Sequence, residues 1–225
     1  SLEIKHLSFS YNTSPIIENL SFTVYPGEFI SLIGPSGCGK STLFKLIGGL
    51  YPPQEGEVWL DQCRIDGEKG YIGYMPQQYS LFPWYTVEEN IRLGQKINGI
   101  KGRMNIEGWL RRADLEEVST SYPYQLSGGM QQRVAFIRTL ATGKQVLCLD
   151  EPFSALDALT RASMYKWVNT LWELEKRTIL FITHSVEEAM LLSDRIYLLS
   201  LKPMKIIGEK VIPLPREQRS LWQGD

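Results

Sequence analysis

The stretch Gly34-Pro35-Ser36-Gly37-Cys38-Gly39-Lys40-Ser41 fits the phosphate-binding spacing G-x-x-x-x-G-K-[ST] in every defined position. The apolar run Phe29–Ile33 precedes it, and a helical pattern starting at Thr42 follows. Glycines let the backbone curl until successive N–H groups point at one phosphate, and the helix adds its positive end. Lys40 can then neutralise the β- and γ-phosphates while the Ser41 hydroxyl ligates Mg²⁺. Gly34, Pro35, Ser36, Gly37, Cys38, Gly39, Lys40, Ser41 and Thr42 therefore form the predicted nucleotide-binding stretch. The competing reading is a glycine-rich turn that happens to contain a lysine, and the flanks weigh against it.

Such a cradle needs acidic partners for metal and water. Val146-Leu147-Cys148-Leu149-Asp150-Glu151-Pro152 supplies them at the end of four apolar residues that read as a central strand. Ligands of α/β sheets sit at the carboxyl ends of such strands. Asp150 is expected to hold Mg²⁺ through water, and Glu151 to reach the attacking water as general base. In isolation the pair would read as solvated acids; beside a complete phosphate loop it reads as catalytic. Cys38 fills a position that the loop leaves free, and Cys148 reads as a buried strand residue.

These groups must be positioned by a sizeable fold. Of 225 residues, 43% are hydrophobic and 22% charged, ordinary proportions for a chain with a substantial core. Lys and Arg total 24 against 25 Asp and Glu, which argues against a strongly basic nucleic-acid binder. The three cysteines lie far apart and suggest neither a disulfide framework nor a metal knuckle. No apolar run approaches a membrane span, and residues 1–25 lack a signal-peptide layout.

Strands are predicted at Ile4–Ser10, Phe22–Val24, Phe29–Ile33, Glu57–Leu60, Ile72–Met75, Val146–Asp150, Thr178–Thr183 and Arg195–Leu199, with Asn12-Thr13-Ser14-Pro15 as a turn. A β-ribbon is expected near Lys205–Ile212. Helices are predicted at Thr86–Leu93, Ile106–Ala113, Gly128–Gly143, Leu159–Glu175 and Val186–Leu192, with a mobile Gly/Asn/Lys-rich stretch over 94–105. The expected fold is α/β: a mostly parallel central sheet, an N-terminal antiparallel β part and an inserted helical subdomain at about 86–143, all within one domain spanning 1–225.

Leu126-Ser127-Gly128-Gly129-Met130-Gln131-Gln132-Arg133 resembles the signature L-S-G-G-x-Q-x-R of the ATP-binding subunits of ABC transporters, and the resemblance covers nearly the whole chain. It implies a P-loop NTPase of ABC type that binds ATP and Mg²⁺ and hydrolyses ATP. Ser127, Gly128, Gly129 and Gln131 would close on the nucleotide of a second copy, giving a head-to-tail homodimer with two ATP molecules between the chains. Ser154-Ala155-Leu156-Asp157 resembles the loop along that seam, although Asp157 could equally cap a helix. His184 corresponds to the switch histidine, and Tyr11 to the ring that stacks on adenine. Gln77, in Met75-Pro76-Gln77, matches the glutamine that touches magnesium or the attacking water. His6 carries no comparable motif.

Phe82-Pro83-Trp84-Tyr85-Thr86-Val87 places aromatic groups beside that glutamine loop, where a helix of a transmembrane permease could dock. The alternative is that Trp84 packs inside the helical subdomain. The Pro-Trp-x-Thr-Val form is similar to nitrate/sulfonate/taurine importers and to importers of thiamine-pyrimidine precursors, and Leu214-Pro215-Arg216 resembles the end of the same group. The resemblance thus implies a peripheral subunit on the cytoplasmic face of the cell membrane, held by permease subunits and served indirectly by an extracellular or periplasmic solute-binding protein, with no nucleic-acid partner. An ABC exporter subunit and a non-transport ATPase of nucleic-acid repair or translation are the alternatives. Residues 94–121 depart from the usual helical region, and the ending at Asp225 removes support for classes with a C-terminal regulatory domain.

Overall fold

Residues 1–97 and 105–219 are described by the computed structural model. β1 (Leu2–Tyr11) and β2 (Ser14–Val24) alternate buried and exposed side chains over much of their length and pair antiparallel. The predicted turn is tighter than expected, because β2 already begins at Ser14. Pro15 is tolerated there since β2 is an edge strand, where a missing N–H breaks no inner ladder. β3 (Phe29–Ile33), the phosphate loop and α1 (Lys40–Ile47) follow. Next, β4 (Glu55–Leu60) and the two-residue β5 (Cys63–Arg64) complete a four-stranded antiparallel sheet of order β2-β1-β4-β5.

β6 (Gly73–Met75) enters the second sheet, after which α2 (Val87–Ile97), α3 (Ile106–Arg112) and α4 (Gly128–Ala141) occupy the helical stretch. The chain then alternates β7 (Val146–Asp150), α5 (Ala158–Glu175), β8 (Thr178–Thr183), α6 (Val186–Leu192), β9 (Arg195–Leu199) and β10 (Ile206–Val211). The second sheet has the order β10-β9-β3-β8-β7-β6, parallel throughout except for the β10–β9 pair.

β7 and β8 are buried at every position, as strands covered on both faces must be. One apolar cluster, including Phe136, Phe153, Trp167 and Phe181, packs α4 and α5 against one face. Another, including Leu32, Leu43, Phe44 and Leu180, joins the two sheets through α1.

The stretch 94–105 was expected to be mobile. Helix α2 instead continues through Gly94 to Ile97, Asn105 caps α3, and residues 98–104 lie outside the described residues. Gly94 stays helical because it is a contact point: an added Cβ would lie 2.3 Å from the Arg138 carbonyl oxygen and 3.1 Å from the Ala141 Cβ. Only glycine allows α2 and α4 to approach this closely. Arg138 in turn donates to the backbone oxygens of Ser80 (2.7 Å) and Tyr79 (2.8 Å), tying α4 to the loop after Gln77.

Gly94→Ala sets two effects against each other. Helix propensity alone would stabilise by up to about 1 kcal/mol, whereas overpacking costs about 1–3 kcal/mol. The contact with backbone leaves no flexible side chain to yield, so the expected outcome of urea unfolding is a lower midpoint.

Candidate active site

The sheet order sets β6, β7, β8 and β3 side by side, and the same edge receives the loops that follow them. Gln77 follows β6, Glu151 follows β7, His184 follows β8 and the phosphate loop follows β3. A cavity of ≈ 320 Å³ at this edge is lined by Tyr11, Ile16, Ser36, Gly37, Gly39, Lys40, Ser41, Thr42, Gln77, Glu151 and Lys202.

Gly39 precedes α1 with φ 118°, a conformation that favours glycine, and no side chain caps the helix N-terminus. By contrast α3, α4, α5 and α6 are each capped by a side chain, from Asn105, Ser127, Asp157 and Ser185 respectively. The positive end of α1 therefore faces the cavity without a competing side-chain acceptor. Lys40 is buried, and its Nζ donates to the carbonyl oxygens of Gly34 (2.7 Å) and Pro35 (3.0 Å). Both hydrogen-bond acceptors are neutral, so the ammonium keeps its positive charge and can attract a phosphate.

Asp150 is buried at the end of β7, and the Tyr74 hydroxyl donates to its Oδ2 at 3.3 Å. Burial raises its pKa, the Glu151 charge adds to that, and Ser41, Tyr74 and Lys40 oppose it. Glu151 adopts φ 45°, a left-handed conformation that costs a non-glycine residue about 1–2 kcal/mol. Bonds on both sides of the residue hold it there. Its N–H donates to Ile182 O (3.0 Å), and its carbonyl accepts from the Ser154 N–H (3.2 Å) and hydroxyl (3.0 Å). The result aims Glu151 Oε2 at two groups: Gln77 Nε2 donates to it at 3.4 Å and His184 Nδ1 lies 3.5 Å away.

Ser41, Gln77 and Asp150 form a small set of hard oxygen donors. That suits Mg²⁺, which keeps waters and takes substrate phosphate oxygens rather than an all-protein cage. Among the described residues no cluster of three His, Cys, Asp or Glu side chains offers such a cage.

Not every expected residue reaches this cavity. Cys38 is buried with its Sγ 3.9 Å from the Met204 sulfur, and its N–H donates to Pro35 O at 3.3 Å, so its side chain belongs to the packing beneath the loop. Gly34 and Pro35 act through the carbonyls that hold Lys40. Ser127 caps α4, accepting from the Met130 N–H at 3.3 Å, and Gln131 Nε2 donates to Leu126 O at 3.2 Å. Neither they nor Gly128 and Gly129 line the cavity. Asp157 caps α5, accepting from the N–H groups of Leu159 (3.1 Å) and Thr160 (3.0 Å), and the Thr160 hydroxyl holds its carboxyl below the usual range.

Ile16, Tyr74 and Lys202 were missed. The Ile16 Cγ2 lies 2.6 Å from where a Cβ on Gly39 would sit. Lys202 arrives on the β9–β10 connection, which the Met204 N–H anchors to Ile16 O at 2.8 Å and Lys205 to Glu18 at 2.6 Å. No spacing in Leu201–Lys205 signals this; Tyr74, three residues before Gln77 on an apolar strand, offered a weak cue.

Residues 17–154 match the family model described as ABC transporter. The chain is 43% identical over 216 residues to the formylaminopyrimidine import ATP-binding protein ThiZ of Halalkalibacterium halodurans, covering 94% of this chain and 84% of that protein. It is 42% identical over 218 residues to the aliphatic sulfonates import ATP-binding protein SsuB of Bacillus cereus, covering 96% and 87%. The dimeric post-hydrolysis structure of the ATP-binding cassette MJ0796 bound to ADP and Pi is similar with a TM-score of 0.81 at 30% identity, covering 96% of this chain and 100% of that one.

Because Lys40 is held only by carbonyls of its own loop, Lys40→Ala should leave unfolding nearly unchanged while removing a charge-assisted phosphate contact. Such a contact contributes about 1.5–3 kcal/mol, so calorimetric titration is expected to show ATP affinity about 10- to 100-fold weaker.

Proposed function

The chain belongs to the ABC transporter family of ATP-hydrolysing subunits, and from that premise we propose that it energises import of a small solute through a partner membrane permease. The observation that supports the catalytic part is the convergence of Gln77 and His184 on Glu151 at the rim of the phosphate-loop cavity. The reaction is ATP + H₂O → ADP + phosphate. Lys40 and the N–H groups of Ser36, Gly37, Gly39, Ser41 and Thr42 hold the β- and γ-phosphates, and Tyr11 stacks on the base. Ser41, Asp150 and Gln77 are the residues that would hold Mg²⁺, which when bound would offset phosphate charge. Glu151 accepts the proton of the attacking water, with Gln77 orienting that water and His184 contacting the γ-phosphate.

Ser127, Gly128, Gly129 and Gln131 sit away from their own chain's cavity, and we assign them to the nucleotide of a second copy, with Asp157 along the seam. Two chains then enclose two ATP molecules about a two-fold axis. Residues 86–143 act as the unit that carries the signature and moves when the sites close.

Trp84 is 65% exposed, so it does not fill the helical layer. With Phe82 and Tyr85 it forms an aromatic cluster whose ring centroids lie 5.5 to 6.4 Å apart. We assign this cluster to a permease helix at the cytoplasmic face of the membrane. The cargo class is a small organic or inorganic solute of the nitrate, sulfonate or taurine kind, or a pyrimidine precursor, consistent with the names of the relatives. It is delivered by an extracellular or periplasmic binding protein.

Glu151→Gln is expected to keep ATP binding, since the phosphate loop and Asp150 are untouched, while phosphate release falls about 100-fold or more. Near-normal turnover in the purified variant would remove Glu151 from the water-activating role. Replacing Trp84 with Glu should abolish co-purification with the permease, because a desolvated charge would face an apolar helix. ATP affinity and Tm of the free subunit should stay as in the parent; normal co-purification and transport would place the dock elsewhere.

A further inference from the structure

Glu188, a buried acid on α6, has no part in the scheme above. Its carboxylate accepts hydrogen bonds from two hydroxyls, those of Thr183 on Oε2 and of Tyr165 on Oε1, the latter at 2.9 Å. Burying a carboxylate is costly unless hydrogen bonds satisfy it, so these contacts are not interchangeable with looser ones. Each donor leads to one half of the Glu151–His184 pair.

On the histidine side, Thr183 is the last residue of β8, and its Oγ1 also accepts the Ser185 N–H at 2.9 Å. Ser185 caps α6 by accepting the Glu188 N–H at 3.3 Å. Thr183, before His184, is thus tied to the carboxylate directly, and Ser185, after it, is tied to the Thr183 hydroxyl and to the Glu188 backbone N–H. The His184 side chain is itself 61% exposed, so packing does not orient it and its backbone must. On the glutamate side, Tyr165 of α5 packs edge-on against Phe153 with ring centroids 5.4 Å apart. Phe153 lies two residues after Glu151 in the turn that holds the left-handed φ of Glu151.

The geometry points to Glu188 as the positioning residue that holds His184 at reacting distance from Glu151, with Tyr165 as its strut to the Glu151 turn. Glu188 does not line the phosphate-loop cavity and acts through His184. The inference rests on the hydrolytic role assigned above to His184 and adds a residue that supports it.

Two histidines, His6 and His184, make the test direct, because ¹⁵N-histidine labelling yields ring signals from two sites only. In Glu188→Ala the His184 ring signals are expected to shift or broaden while those of His6, on β1, stay fixed. Steady-state kcat should fall about tenfold or more, with ATP affinity by calorimetry within about twofold of the parent. Glu188→Gln, which keeps an acceptor oxygen, should recover part of kcat, and Tyr165→Phe should repeat the pattern more weakly. In a His184→Ala background, adding Glu188→Ala should cost no more than about a further twofold, since coupled residues are not additive. Unmoved His184 signals, or losses that multiply in the double variant, would overturn the inference. If Glu188→Ala fails to fold, Glu188→Gln and Tyr165→Phe carry the same readouts. Wild-type turnover in His184→Ala alone would instead defeat the assigned role of His184, and the ring signals would still report whether Glu188 holds the turn.

Discussion

Parallel pairing of β3, β8, β7 and β6 is the constraint on which the site depends. Register sets Ile33 beside Thr183, Ile182 beside Asp150, and Leu149 beside Met75, so four chain segments leave one edge of the sheet within a few residues of each other. Adjacent strands are spaced about 4.8 Å apart. That spacing is what lets a phosphate loop, a histidine, two acids and a glutamine address one small volume. Burial of β7 and β8 on both faces pins the register, because a slip would drive polar strand ends into the core.

Electrostatics at that edge are unbalanced in favour of an anion on one side and a cation on the other. The N-terminus of α1 has no side-chain cap and the Lys40 ammonium hydrogen-bonds to backbone carbonyls, while Asp150 is a buried acid whose ionised form burial disfavours. A Mg²⁺–polyphosphate answers both demands at once. The proposed pairing of two chains is consistent with the same geometry, since Ser127 and the glycines after it begin a helix that does not line the phosphate-loop cavity of its own chain.

Local spacing made much of this readable. The phosphate loop, Asp150-Glu151 and the Ser127–Arg133 signature are contiguous patterns, and β3, β7, β8, β9 and α6 fall where the apolar runs place them. What could not be read depends on residues distant in sequence. Gly94 looks like a loop glycine until α4 is laid against it; Ile16 and Lys202 reach the cavity only because β2 holds the β9–β10 connection. Glu188 sits in a correctly anticipated helix, yet its importance lies in hydroxyls from β8 and α5. Trp84 was ambiguous for the converse reason, since exposure is a property of packing and not of its neighbours in the chain.

The central claim is that one chain supplies the phosphate loop, Glu151 and His184, and a second supplies the signature. Mixing two inactive variants tests it directly. A Lys40→Ala chain keeps its signature and a Ser127→Arg chain keeps its phosphate loop, so a mixed pair rebuilds one intact composite site and ruins the other. Phosphate release from an equimolar mixture well above the sum of the separate variants is the expected result. A mixture no faster than that sum, with mixed pairs confirmed by affinity tagging, would contradict the account.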